Sequence, residues 1–403
     1  MRPYEGFETE PSIVRQIRRS VQKIAKNARL TPEETKLAAD CVVGICKSGS
    51  CKVSDIVRAL KNTAPFREET RELYDQLSDP KAGLEEMRGA WLDLIAPTAD
   101  KMPFIAVDPS DILKLHGKDF DNLDTIRDGS DPGKRIGKGF PTLQIEATNH
   151  DHQNLPLWQE TYSTKIPEYR NLYDFVGRAM LKVLSRIGLN ATWLFDRGFD
   201  GGDFYTILGG LGINWVVRQL GTRNVVIGND QIILMSNLAA SLDKPHKVEV
   251  PYIDKKSHEV KTCPVHFGYA PVRLPGKSGR LWMVVITGLR KEDMILLTNK
   301  DIRNIKQAER IVLAYMRRWG IEEGIRCWKQ KTGVEDFRVR NWDSIRRLTF
   351  FSMLAYGIQA LWLLTRHKQA ARVIARVKVF IEKVVFLHYR MWDGVQIALR
   401  NGV

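Results

Sequence analysis

Leu348 to Thr365 runs LTFFSMLAYGIQALWLLT, eighteen residues without a charge and with basic residues at both ends. A chain carrying such a segment must hide it, either in a membrane or in the middle of a large folded core. Eighteen residues only just reach the length of a membrane-spanning helix. The segment also contains Ser352, Tyr356, Gly357 and Gln359, and the sequence has no second span of its kind. The expectation is a helix that is apolar all round and buried in a soluble core, without membrane contact. A membrane-anchored protein is the rival reading. At 403 residues the chain is long enough for such a core and for two or three domains.

Charge narrows the partners. Lys and Arg number 62 against 47 Asp and Glu, a net +15, which suits a polyanion such as nucleic acid or an anionic membrane surface. Residues 1–100 hold 16 basic and 16 acidic side chains, whereas residues 301–403 hold 20 basic against 9 acidic. The polyanion surface is therefore expected mainly in the last quarter. Cys41, Cys46 and Cys51 recur every five residues with no histidine nearby. Zinc modules use closer pairs, so free cytosolic thiols are expected for these, Cys263 and Cys327. No apolar stretch follows Met1-Arg-Pro-Tyr-Glu-Gly, so a secretory signal is not expected.

Residues 1–99 read as a small helical N-terminal domain. Thr31-Pro-Glu-Glu is a helix start, with an N-cap, Pro at the first position and acids in the first turn. That helix should run to about Lys47, and Val53 to Leu60 reads as a second. The pair is either a DNA-binding helix-turn-helix or part of an ordinary bundle. From Pro103 the pattern becomes that of an α/β sheet. Phe104-Ile-Ala-Val is a short strand ending at Asp108, and Phe140–Thr148 and Leu155–Ser163 are two more. Asn171–Gly188 has helical spacing, Ala191-Thr-Trp-Leu-Phe is a buried strand ending at Asp196, and Ile213-Asn-Trp-Val-Val is another. Residues 220–292 read as an all-β insertion, which divides an α/β core into 100–219 and 293–403. Ile295-Leu-Leu-Thr returns to the main sheet. One long helix is then predicted over roughly 302–332, stopped by Gly333.

Two features could carry chemistry. Asp108 and Asp196 each directly follow an apolar strand, where open α/β sheets bind ligands. Carboxylates at neighbouring strand ends repel unless they share a cation, and hard oxygen ligands suit Mg²⁺ or Mn²⁺. Either Asp could equally be a turn cap. On the long helix, Tyr315, Arg318, Glu322 and Lys329 fall within roughly a 60° arc of one face. That stripe is either a site or a solvated salt-bridged face, with Glu322 pairing with Arg318 or Arg326.

The string from Tyr315 to Lys329 fits Y-x2-R-x3-E-x6-K, with Trp319 and the Ile321-Glu322 pair in place. It resembles the signature of DDE transposases of bacterial insertion sequences, in the insertion-sequence-four-like group. Asp196-Arg-Gly-Phe-Asp resembles that family's second-aspartate motif, and Asp108 its first aspartate. The resemblance spans about Phe104 to Lys329. It implies an RNase H-like catalytic core in which Asp108, Asp196 and Glu322 are the catalytic metal ligands of two Mg²⁺ ions, with Mn²⁺ able to substitute. It further implies that Tyr315, Arg318 and Lys329, with Arg197 a weaker candidate, hold DNA phosphates. The activity implied is cut-and-paste transposition by a homodimer on double-stranded DNA, at inverted-repeat ends and target, in the bacterial cytoplasm at the nucleoid. A hairpin step in that family stacks a flipped base on a tryptophan. Met294 stands at the matching position here, and Trp282 is the substitute to consider.

Other groups are expected to be structural. His150-Asp-His152 reads as an exposed polar turn or strand, since no third ligand is apparent. Asp111, Asp200 and Asp203 read as turn residues. The basic residues Arg366, Lys368, Arg372, Arg376, Lys378, Lys383 and Arg390 have helical spacing and could lie on DNA, on a partner subunit or in solvent. A catalytically silent DNA-binding regulator or domesticated derivative, and a non-transposing nuclease, are the alternatives to a transposase.

Overall fold

The strand that carries Asp108 organises the sheet. In the computed structural model, residues 12–60, 64–79, 83–114, 116–127, 136–253, 260–366, 391–393 and 395–396 are described. Five helices come first: α1 (Ser12–Asn27), α2 (Pro32–Ser48), α3 (Val53–Leu60), α4 (Phe66–Ser78) and α5 (Leu84–Ala99). Thr31 starts α2 with a reciprocal cap, its hydroxyl accepting from Glu34 N–H and the Glu34 carboxylate accepting from Thr31 N–H. Gly49 ends it in left-handed backbone, φ 67°, with its N–H returned to the Ile45 carbonyl. Every residue of α2 from Leu37 to Cys46 is buried, so the helix is packed into the fold.

The sheet begins with β1 (Phe104–Leu113), β2 (Asp124–Arg127), β3 (Ile136–Thr148) and β4 (Asn154–Thr161). After α6 (Leu172–Leu184) come β5 (Thr192–Phe195), α7 (Gly202–Leu211) and β6 (Asn214–Arg218). β3 lies antiparallel between β1 and β4, while β5 runs parallel to β1 and β6 parallel to β5. β1 is longer than the five residues expected, because β3 pairs with it from Phe104↔Thr148 to Leu113↔Gly139. β5 accompanies only Phe104 to Val107. Asp108 thus marks where the parallel neighbour stops, not where its own strand stops. Pro109 follows on the side β5 has left, where a missing amide costs no ladder bond.

The segment after β6 departs from the expected all-β insertion. A separate hairpin of β7 (Asn224–Ile227) and β8 (Gln231–Leu234) leads into a short helix, α8 (Met235–Ser241). β9 (His246–Ile253), β10 (Val260–Val272), β11 (Leu281–Thr287) and β12 (Met294–Thr298) then extend the main sheet in the order β6-β12-β11-β10-β9. Alternating hydrophobicity identifies strands but not the sheet they join, which here is decided by β12 pairing antiparallel with β6.

The expected single helix over 302–332 is two: α9 (Ile305–Met316) and α10 (Trp319–Thr332). Gly333 does end the second, at φ 59° with its N–H on the Lys329 carbonyl. α11 (Trp342–Thr365) contains the charge-free segment, and 83% of its most apolar window is buried in the fold. It packs on α2, α4, α5, α10 and β4, as expected of a core helix. The sheet separates two apolar layers. Ile105, Val107, Trp193 and Phe195 face the core shared with α5 and α11, whereas Phe104, Ala106, Leu194 and Val216 face α9 and α10. The five cysteines are free thiols, all but Cys263 buried. Of the basic residues expected to lie on a helix beyond α11, Lys368 to Arg390 lie outside the described residues.

Trp91 fastens α5 to this core: it is fully buried, donates from Nε1 to the Pro156 carbonyl at 3.0 Å, and lies against Gly357 of α11. Trp91→Ala should lower unfolding free energy by about 3–5 kcal/mol, measured by urea denaturation. A loss under about 1 kcal/mol would contradict this packing.

Candidate functional site

The last paired residues of β1 and β5 are Val107 and Phe195, so Asp108 and Asp196 leave the carboxyl ends of adjacent parallel strands together. Asp196 is extended (φ −76°, ψ −179°) and caps the 3₁₀ turn Arg197–Phe199, accepting from Gly198 N–H at 2.8 Å through Oδ1. The turn-cap role is therefore real, but it uses one oxygen of two.

Glu322 comes from the other layer. Between α9 and α10 the backbone tightens, with bonds from Arg317 N to Ala314 O (3.0 Å), Arg318 N to Tyr315 O (3.0 Å) and Gly320 N to Arg317 O (2.9 Å). These three-residue bonds break the continuous stripe expected of Tyr315, Arg318, Glu322 and Lys329. The four nevertheless stay on the side facing the sheet or its rim. Arg318 lies at the centre: Nη1 is 3.4 Å from Asp108 Oδ2, and Nη2 donates to Glu322 Oε1. Burial opposes its charge, but Tyr315, Asp108, Glu322 and Asp196 together raise its pKa above the ordinary arginine value. Burial pushes the Asp108 carboxyl up to about 7, and Asp196 and Glu322 add to the rise while Arg318 opposes it. Glu323 is buried and pairs separately with Arg326 at 2.7 Å.

Lys329 bridges Asp111 of β1 (3.4 Å) and Glu335 (3.3 Å). Asp111 is thus tied to the stripe and is not the turn residue expected. Asp200 is likewise more than a turn, accepting from Arg223 Nε at 2.7 Å and Leu220 N–H at 2.8 Å. The Tyr315 hydroxyl is buried without a hydrogen-bond partner, and burial pushes its pKa up to about 12.

Beside this cluster lies a cavity of about 450 Å³, whose wall includes Arg218, Tyr252, Arg290, Met294, Trp319 and Glu322. Arg218, at the end of β6, feels Arg290, Arg197 and Arg318, and burial lowers its pKa. Arg197, Arg218 and Arg290 have no acidic partner within salt-bridge reach among the described residues. Guanidiniums without a salt-bridge partner suit an anion. Sequence reading missed Arg218 and Arg290, although Arg218 ends a buried strand just as Asp196 follows one. It also missed Glu146, the one acid in an apolar strand. Glu146 is buried, its Oε2 has no partner, and it lies under Gly324, where any Cβ would collide with it.

The donor set suits a hard cation. Asp108 and Glu322 pair with one guanidinium that Asp196 also influences, and it supplies positive charge where a metal would. As the side chains stand, no three His, Cys, Asp or Glu residues are spaced to hold an ion among the described residues.

A sequence-family profile described as "Transposase DDE domain" matches residues 100–358. The chain belongs to the DDE-domain transposase family. A similar solved structure is the cryo-EM structure of the piggyBac transposase synaptic complex with hairpin DNA, at 9% identity and TM-score 0.47, covering 98% of this chain and 79% of that one. Likeness at that level has no bearing on what this transposase binds. No curated protein matches the chain. The profile takes in β1, β5, α9, α10 and most of α11, and so contains every carboxylate of the cluster.

Burial, then Asp108, raises the pKa of Glu146 well above the carboxylate range. Folding therefore favours its neutral form, while the unfolded chain ionises it above about pH 4.3. A raised folded pKa means stability lost as pH rises. Glu146→Gln should gain stability relative to wild type as pH rises above the ordinary glutamate value of about 4.3. A difference that stays flat across denaturation curves in that range would refute a neutral buried carboxyl.

Proposed function

We propose that this transposase is a cut-and-paste enzyme of the insertion-sequence-four-like group. In this reading it cleaves and joins DNA with Asp108, Asp196 and Glu322 as ligands of two Mg²⁺ ions, which Mn²⁺ can replace. The observation that carries the reading is Arg318 paired with Asp108 of β1 and Glu322 of α10, within electrostatic reach of Asp196 at the end of β5 and beside an arginine-rich cavity. The sheet order supports an RNase H-like core: β4-β3-β1 are antiparallel, and β5 and β6 follow β1 in parallel. The substrate is double-stranded DNA at inverted-repeat ends and then at the target. A homodimer acting at the bacterial nucleoid follows from the sequence signature alone.

When bound, the ions lower the pKa of the attacking water or 3′-hydroxyl and stabilise the leaving oxygen. The protein's own part is to hold and orient. Two aspartates fixed by the β1–β5 register and a glutamate fixed by α10 offer hard oxygens from three directions. Arg318, freed from those carboxylates, grips a phosphate through its planar fork, and Arg197, Arg218 and Arg290 extend the anion-binding wall. Lys329 contributes a point charge further along the same side, and Tyr315 offers an unpaired hydroxyl. A flipped base, if the hairpin route is taken, finds flat rings in Tyr252 and Trp319, with Met294 between the walls. Trp282 is not part of that wall and donates to Asp301 at 3.2 Å, so it does not replace the missing tryptophan.

Linear DNA carrying the sequences that flank the gene tests the core of this reading. The wild-type protein should nick it only with Mg²⁺ or Mn²⁺. Asp196→Ala should lose at least about 10³-fold in rate while binding the DNA within a few-fold of wild type. Appreciable cutting by that variant, or metal-independent cutting by wild type, removes the assignment. Trp319→Ala should keep the first nick and lose most hairpin product on denaturing gels. Unchanged hairpin yield would show that the stacking ring lies elsewhere.

A further inference from the structure

The break between α9 and α10 has no local cause. Arg317 (φ −71°, ψ −22°) and Arg318 (φ −53°, ψ −34°) keep right-handed helical backbone, and neither is followed by proline. A helix that tightens at such a place is being held by something outside it. Three residues at 120° each, rather than 100°, turn everything downstream by roughly 60°. The tightening therefore decides where Glu322 points relative to α9.

What touches the tightened turn is the hairpin between β3 and β4. Asn154, the first residue of β4, donates from its buried amide to the carbonyl of Gly320, the residue whose N–H closes the tightened turn on the Arg317 carbonyl. Gly320 has no side chain to spare: a Cβ there would stand 3.0 Å from Asn154 Oδ1. His152, at the tip, meets the Arg317 guanidinium through Nε2. Burial, then Arg317, pulls the His152 pKa down to about 4 against Asp151, so the ring is neutral and accepts. The tip itself is braced. His152 occupies left-handed backbone, φ 56°, which a non-glycine residue adopts only when its surroundings fix it. Asn149 Oδ1 accepts from Asp151 N–H (2.9 Å) and Gln153 N–H (3.0 Å).

We propose that the β3–β4 hairpin is a clamp in which His152 and Asn154 are positioning residues: they hold the Arg317–Gly320 turn and thereby aim Arg318 and Glu322 at Asp108. His152 then has a task, while His150 and Asp151 form the exposed polar turn expected from sequence. The clamp rests on the catalytic reading above for its functional consequence, but not for its geometry.

The test uses the full-length protein with His152→Ala, His152→Gln and Asn154→Asp. Asn154→Asp keeps the shape but loses the donor to Gly320. His152→Gln keeps an acceptor for Arg317. Asn154→Asp and His152→Ala should lower kcat for Mg²⁺-dependent nicking by about 10- to 100-fold, with KM for the DNA within about twofold, because a misaimed ligand costs chemistry more than binding. His152→Gln should return to within about threefold of wild type. In hydrogen exchange without DNA, amides of residues 317–324 should exchange faster in Asn154→Asp, while those of α9 and α11 stay as in wild type. Unchanged kcat with unchanged local exchange overturns the clamp. So does a loss of kcat accompanied by faster exchange throughout the protein, which would mean general destabilisation. A wild-type protein that never cuts refutes the proposed function, and the exchange pattern still decides the clamp.

Discussion

The site is built on a charge balance: one buried guanidinium among carboxylates that would otherwise repel. Arg318 stands between Asp108 and Glu322, within electrostatic reach of Asp196. Taking that many charges out of water is costly unless they satisfy one another. Removing the arginine alone would leave acids facing acids, and removing the acids would leave a buried cation. The arrangement is therefore mutually dependent.

The rest of the molecule supplies rigidity on both sides of that balance. The aspartates inherit their positions from the parallel register of β1 and β5, which the apolar residues facing the two layers fix. Glu322 and Arg318 inherit theirs from α10, which is packed between the sheet and α11. α11 is long and apolar because both of its flanks are occupied, by the N-terminal helices and by β4. The segment that looked most like a membrane span is in this sense the spine of the fold.

Much of the site was legible in the sequence because its residues follow local signals. A strand that ends in an aspartate, and a tyrosine, arginine, glutamate and lysine at helical spacing, can be read without neighbours. Arg218 carried a comparable signal and was passed over. Glu146 and Asn154 carried little: one acid in an apolar strand and one amide at a strand start acquire meaning only beside Gly324 and Gly320. Those two glycines are the complementary half of the contact, and they lie more than 160 residues away.

Sequence alone determined the periodicities, the helix caps at Thr31 and Gly333, the strands around Asp108 and Asp196, and the buried nature of α11, since each depends on chemistry within a few neighbouring residues. Tertiary structure decided three things: that 220–292 prolongs the main sheet, that the predicted long helix breaks at Arg317–Arg318, and that Arg318 rather than water neutralises the acids. Each is a contest between distant groups for one hydrogen bond, one edge or one charge, and a contest of that kind is settled only when the chain brings the competitors together.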